Sequence, residues 1–195
     1  MNIYCFSPFG YEGNLVHIEV DLRRGIPAID IVGLADGAVK ESRERMRSAI
    51  RNSGLEFPPE RVLISLSPAD LKKEGAGFDL AVALAVLSAK DALEKKNSFA
   101  EEEIDDSVLV MGELELNGST RGVRGIHAAV STAISCGIKL CIVPEKNADE
   151  ARSVSGAKVY SVVLALCQPR FEIDLLLPVF AGGYSVYVMN RRIWN

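Results

Sequence analysis

The 195-residue chain carries 22 Lys and Arg against 26 Asp and Glu, a net charge of −4, with 48% hydrophobic and 25% charged residues. A chain of this size buries roughly 70% of its unfolded surface, enough for a full core, and its acidity excludes a surface that is wholly a nucleic-acid footprint. The four cysteines include no CxxC pair, the two histidines stand apart, and the N-terminus carries no secretory signal, so neither a zinc site nor export is expected and free thiols in a reducing cytoplasm are.

Residues 15–22 alternate Val16, Ile18, Val20 and Leu22 with His17, Glu19 and Asp21, the pattern of a half-buried strand. Arg23, Arg24 and Gly25 make a turn into a second strand over residues 28–33, and the two strands read as a hairpin. Residues 36–53 follow as a helix with Val39, Met46, Ala49 and Ile50 on one side, ended by Gly54. Its other side carries Lys40, Arg43, Glu44, Arg47 and Arg51, four cations against one acid. Two readings stand for that stripe: a solvated face laced by pairs such as Lys40 with Glu44, or a surface that meets phosphate or an acidic partner.

Residues 62–66 are a buried strand, stopped by Pro68, which has no amide hydrogen to donate. Lys73, Glu74, Gly75 and Gly77 form a glycine-bearing turn, and Asp79 is placed to cap an apolar helix over residues 80–87. A tight turn ahead of a helix N-terminus suits a nucleophile, because negative charge developing there is stabilised. Yet Lys73 to Asp79 contains no Ser, Thr or Cys, and the nearest hydroxyl, Ser67, lies on the far side of Pro68.

Residues 89–106 read as a polar surface connection whose acidic run, Glu101 to Asp106, is a solvated loop rather than a metal site. Residues 108–116 are a strand pair or bent strand interrupted at Gly112, and Asn117 with Gly118 is a natural tight turn. A helix over 126–136, a strand over 138–143, a short helix over 145–153 and a strand over 158–163 complete an α+β pattern, mixed α/β layers around one sheet. Near the end, residues 179–188 contain Gly182 and Gly183 and are too short to span a bilayer, so no membrane partner is expected.

Long motifs carry a resemblance. The stretch from Asn14 to Leu87, with GLADGAVKESRERMRSAI at its centre, and GELELNGSTRGVRGIHAAVSTAISCGIKLCIVPEKNADEA from Gly112 to Ala151 resemble the N-terminal domain of the ComM/YifB family of Mg-chelatase-like AAA+ ATPases. The resemblance implies a Lon-protease-like fold, shared with the second domain of a small-subunit ribosomal protein, over residues 1–163. Residues 164–195 fall outside it, as a divergent tail that reads as a truncation or frame shift, or as newly recruited packing. Its apolar runs at 175–180 and 184–188 are strand-like.

The resemblance also assigns the site. The Ser and Lys of Lon-type proteases fall on Gly77 and His127, so the dyad positions are degenerate: glycine offers no attacking oxygen, and a base without a nucleophile has nothing to activate. No GxxxxGK followed by Ser or Thr occurs, so ATP and Mg2+ are expected only in an ATPase domain outside this chain, and no cofactor or metal within it. What the resemblance implies is a non-catalytic module for assembly or DNA association, with AAA+ ATPase subunits, copies of itself or DNA as partners. Lys40, Arg43, Arg47 and Arg51 are its candidate DNA contacts; Lys73, Glu74, Gly75 and Asp79 form its loop. The alternatives are a degenerate peptidase that retains a peptide-binding groove, with Ser67 as a substitute nucleophile, and a truncated product without function.

Overall fold

Strand pairing in this molecule is decided by which apolar segments are long enough to hold a ladder. The computed structural model describes residues 2–9, 12–95 and 107–163. In chain order these form β1 (Asn2–Phe9), β2 (Glu12–Arg23), β3 (Ile29–Val32), α1 (Gly37–Asn52), β4 (Arg61–Ser67) and α2 (Asp79–Lys95). Then come β5 (Ser107–Val110), β6 (Glu113–Leu114), β7 (Thr120–Arg121), α3 (Ile126–Ser135), β8 (Leu140–Pro144), α4 (Ala148–Arg152) and β9 (Lys158–Val162). Seven strands make one mixed sheet in the order β3-β4-β2-β1-β5-β8-β9, and β6 with β7 makes a separate small hairpin. The mixed α/β layering read from the sequence is what the chain adopts. The strand-like runs at 175–180 and 184–188, and the acidic run at 101–106, lie outside the described residues.

The hairpin expected between β2 and β3 does not form. β4 lies between them, antiparallel to β2 and parallel to β3. β2 offers its two edges to β1, with Ile3 opposite Ile18 and Cys5 opposite Val16, and to β4, with Ile18 opposite Leu66 and Val20 opposite Ile64. Those partners have eight and seven residues, whereas β3 has four, so the longer ladders win and β3 is left as an edge strand among the described residues. β1 itself is an element the sequence reading passed over.

Helix α1 starts where Asp36 Oδ1 accepts from the Val39 amide at 2.8 Å. It buries Val39, Ser42, Met46, Ala49 and Ile50, and it ends at Ser53 and Gly54, whose amides return to the carbonyls of Ala49 and Arg51. Helix α2 is apolar around its whole circumference from Leu80 to Leu87, as a helix sunk in a core must be. It runs on through Lys95, so residues 89–95 are helical rather than the start of a surface connection. The reason is composition: Ala, Leu, Glu and Lys are strong helix formers, and nothing before residue 97 breaks the period. β5 and β8 are almost continuously buried, the mark of strands covered on both faces. No described helix is long and apolar enough to cross a membrane.

The three described cysteines are free, with Cys5 and Cys141 buried and Cys136 exposed. Burial pushes the Cys5 thiol up to about 12, against a lowering hydrogen bond to the Phe6 carbonyl, and the Cys141 thiol up to about 11. Both folded values exceed the unfolded value of 9.0, so the stability these neutral thiols confer is complete below pH 9 and is lost as the pH climbs toward 11 and 12. Alkylation of the native protein at pH 8 with peptide-level mass spectrometry is expected to modify Cys136 while Cys5 and Cys141 stay protected until denaturant is added. Labelling of Cys5 at the rate of Cys136 would refute this packing.

Candidate nucleic-acid interface

The turn that resembles a protease loop is built from backbone ties. A 3-10 turn, Ala76–Phe78, leads straight into α2. Gly112 clamps it from both sides: its amide donates to the Gly77 carbonyl at 3.0 Å and its carbonyl accepts from the Leu80 amide at 3.0 Å. A side chain at 112 would lie 3.1 Å from Leu80 and 3.2 Å from Pro144, which is why a glycine interrupts the strand there.

A Cβ at Gly77 would meet only Met111 and Val123, at 3.8 and 3.9 Å. The polar side-chain atom beside this turn is the Cys5 sulfur, 3.6 Å from the Gly77 carbonyl, and its raised pKa keeps it a neutral thiol. His127 is exposed, at the start of α3, and its backbone amide donates to Glu150 Oε1 at 3.0 Å. Ser67 is exposed at the end of β4.

The remaining loop residues hold the fold together. Lys73 is completely buried; its Nζ donates to the Pro68 carbonyl, and burial lowers its pKa against the opposing pull of Asp70. The Lys73 amide donates to the Leu34 carbonyl at 3.2 Å and its carbonyl accepts from the Asp36 amide at 3.0 Å, fastening the loop to the start of α1. Asp36 Oδ2 also accepts from the Gly75 amide at 3.4 Å. Glu74 is exposed and pairs with Lys72 at 2.5 Å.

Asp79 is not the cap expected of it. Its carboxylate, fully buried, turns away from the amides of α2 and accepts from Arg45 Nε at 2.7 Å, Arg45 Nη2 at 2.9 Å and the Leu114 amide at 3.2 Å. Arg45 Nη2 donates in addition to the Ala38 carbonyl at 3.1 Å. A charge-assisted pair in a buried setting outweighs a helix cap, and the Leu80 amide already has Gly112. Burial raises the Asp79 pKa, and Arg45 with the Leu114 amide draws it back. Arg45 was legible in principle, since an acid heading a run that is apolar from Leu80 to Leu87 calls for a cation elsewhere.

The cations assemble beside the first half of α1. β3 ends at Gly33 and Leu34, with φ of +103° and +56°, and a Cβ at Gly33 would lie 2.1 Å from the Leu66 carbonyl oxygen, so the chain hugs β4 as it turns into α1. This turn sets the first half of α1 beside the edge strand. The result is a depression of about 600 Å³ whose lining, among the described residues, has Ile31, Val32 and Leu63, the cations Arg23, Arg24, Lys40, Arg43 and Arg61, and the one carboxylate of Asp30. Arg61 is committed to Asp30 through Nε at 3.0 Å and Nη2 at 2.6 Å, and Arg23 pairs with Asp21 at 2.5 Å. Arg43 has only a loose contact with Glu44 at 3.6 Å, and Arg24 and Lys40 make no ion pair among the described residues.

Of the four helix cations proposed from sequence, Lys40 and Arg43 therefore line the depression, while Arg47 stands 5.9 Å over the Phe57 ring and Arg51 lies in the last turn of α1. Arg23, Arg24 and Arg61 were missed because they come from β2, the turn after it and β4. No group of three His, Cys, Asp or Glu that could hold a metal ion exists among the described residues.

The class that fold and sequence define is set by comparison with known proteins. Residues 18–147 match the family described as subunit ChlI of Mg-chelatase, and the chain belongs to it. It is 39% identical over 154 residues to the uncharacterised protein YifB of Escherichia coli, covering 79% of this chain and 29% of that one. It is 37% identical over 158 residues to the competence protein ComM of Haemophilus influenzae, covering 81% of this chain and 30% of that one. A Lon protease of Trichlorobacter lovleyi is 24% identical over 181 residues, 89% of this chain and 21% of the protease. The chain thus spans less than a third of the length of these relatives.

Two substitutions separate the structural pair from the glycine of the turn. Arg45→Ala strands a buried carboxylate and is expected to cost about 3–5 kcal/mol in urea unfolding at pH 7. Its deficit should shrink toward pH 4, because a carboxyl whose folded pKa is raised contributes most when protonated and loses that contribution as pH rises. Gly77→Ala should be neutral or stabilising by about 0.4–1 kcal/mol, since the site has room and the backbone is unstrained. A large loss at Gly77 would show that the turn needs glycine for its conformation.

Proposed function

We propose that this domain is a non-catalytic module that associates with nucleic acid and brings it, with neighbouring subunits, to an ATPase domain outside this chain. One observation carries the reading: on a chain of net charge −4, five cations converge on one depression beside β3, an edge strand among the described residues. Counterions released from phosphate reward such a cluster, whatever the net charge of the molecule. The name of the competence protein from Haemophilus influenzae fits a role in DNA processing or natural transformation. Glycine at the nucleophile position, with apolar neighbours, supports a role in holding rather than cutting. In this reading ATP and Mg2+ act in the separate ATPase domain, and the free thiols accord with a cytoplasmic setting.

The test is binding of a fluorescent DNA duplex to the 195-residue chain at 25 mM salt. The double variant Lys40→Glu, Arg43→Glu should weaken binding at least tenfold with an unchanged melting temperature. Arg51→Glu, outside the depression, should weaken it less than threefold. Wild-type protein that binds no nucleic acid at low salt would overturn the proposal.

A further inference from the structure

We infer that the turn at Asn117 and Gly118 is a site of self-modification: the asparagine loses ammonia to the backbone of the next residue and leaves aspartate or isoaspartate on the β6–β7 hairpin.

The residue types and the hydrogen bonds of the turn both prepare it for this. The Glu115 amide donates to the Ser119 carbonyl at 2.9 Å, and the Gly118 amide donates to the Glu115 carbonyl at 2.9 Å. Gly118 has a φ of +88°, which is why the turn takes a glycine there. The same lack of a side chain leaves the Gly118 nitrogen open to approach from its neighbour. Asn117 is exposed, and its Oδ1 accepts from the Ser119 amide at 2.9 Å. That bond closes an Asx turn, which folds the side chain back over the Gly118 nitrogen. It also draws electron density from the Cγ carbonyl, the carbon to be attacked.

The reaction consumes one water and releases one ammonia. Hydroxide removes the Gly118 amide proton, and the nitrogen attacks Asn117 Cγ to close a five-membered imide. The Cγ–NH2 bond breaks, and its nitrogen leaves as ammonia with a proton from water. Water then opens the imide: attack at Cγ gives aspartate, and attack at the main-chain carbonyl gives isoaspartate, whose backbone runs through Cβ. The proton that leaves is the one Gly118 shares with the Glu115 carbonyl, so the reaction gives up that contact and keeps the one from the Glu115 amide to Ser119. The hairpin already sets Glu113 and Glu115 against Arg121, at 3.8 and 2.8 Å, and either product adds a third acid beside them.

The test holds the 195-residue chain at 37 °C, native and in 6 M guanidinium chloride, at pH 7 and pH 9, and follows its peptides by mass spectrometry. In the native protein Asn117 should convert at least tenfold faster than Asn14 and Asn52, which are also exposed but precede Leu15 and Ser53. Its rate should rise at least fivefold from pH 7 to pH 9, because the attacking nitrogen must lose a proton. Aged wild type should accept methyl groups from an isoaspartyl methyltransferase at least tenfold more than aged Asn117→Gln, whose longer side chain must close a six-membered ring. Native Asn117 converting within threefold of the unfolded chain's rate supports the inference. Conversion more than threefold slower than in denaturant would show that the bond from Gly118 to Glu115 keeps the nitrogen closed, and would overturn it. Equal rates at Asn117 and Asn14 would overturn it as well.

Discussion

The pair formed by Arg45 and Asp79 is the constraint from which the rest of the arrangement follows. Asp79 has no exposed surface, yet it opens an apolar helix, and a carboxylate taken out of water must find opposite charge or neutralise. Arg45 answers it with a two-pronged contact, the Leu114 amide fills a third place, and Arg45 also reaches the Ala38 carbonyl. In one stroke the relative positions of α1, α2 and β6 are fixed. A pair so buried is costly to break but gives little net stability compared with apolar packing, so its contribution is to orientation.

That orientation has consequences at the start of α1. There Asp36 caps the helix and receives the Gly75 amide, while the backbone of Lys73 bridges to Leu34 and Asp36. The loop from Lys73 to Asp79 is therefore stitched to the helix that carries the cations. Lys73, whose charge would have been a natural candidate for chemistry, is buried with its amine on a carbonyl. The clamp by Gly112 uses main-chain atoms alone, so it holds the turn independently of the side chain at 77.

The basic depression shows a different logic. Its five cations come from β2, the link to β3, α1 and β4, and two of them are bound to neighbouring carboxylates. What forms the depression is the juxtaposition of β3 with the first half of α1, brought about by the turn at Gly33 and Leu34. At physiological salt the field of separate surface charges fades beyond about 8 Å, so only cations gathered this closely act together.

Sequence by itself determined the local elements and the broad architecture. The alternation in β2 and β4, the apolar wheel of α2, the Asp36 cap and the Gly54 stop each express a period or a backbone preference contained within a few residues. It also determined the family, through motifs too long to arise by composition, and the glycine at position 77. Tertiary structure alone decided strand pairing, because β2 could choose among β1, β3 and β4 and the choice turns on competing ladder lengths. It decided the partner of Asp79, since a buried carboxylate seeks charge across 34 residues of chain rather than the nearest amides. And it decided which arginines share a surface: a helix period can group Lys40 with Arg43, but only the folded sheet brings Arg24 and Arg61 to them.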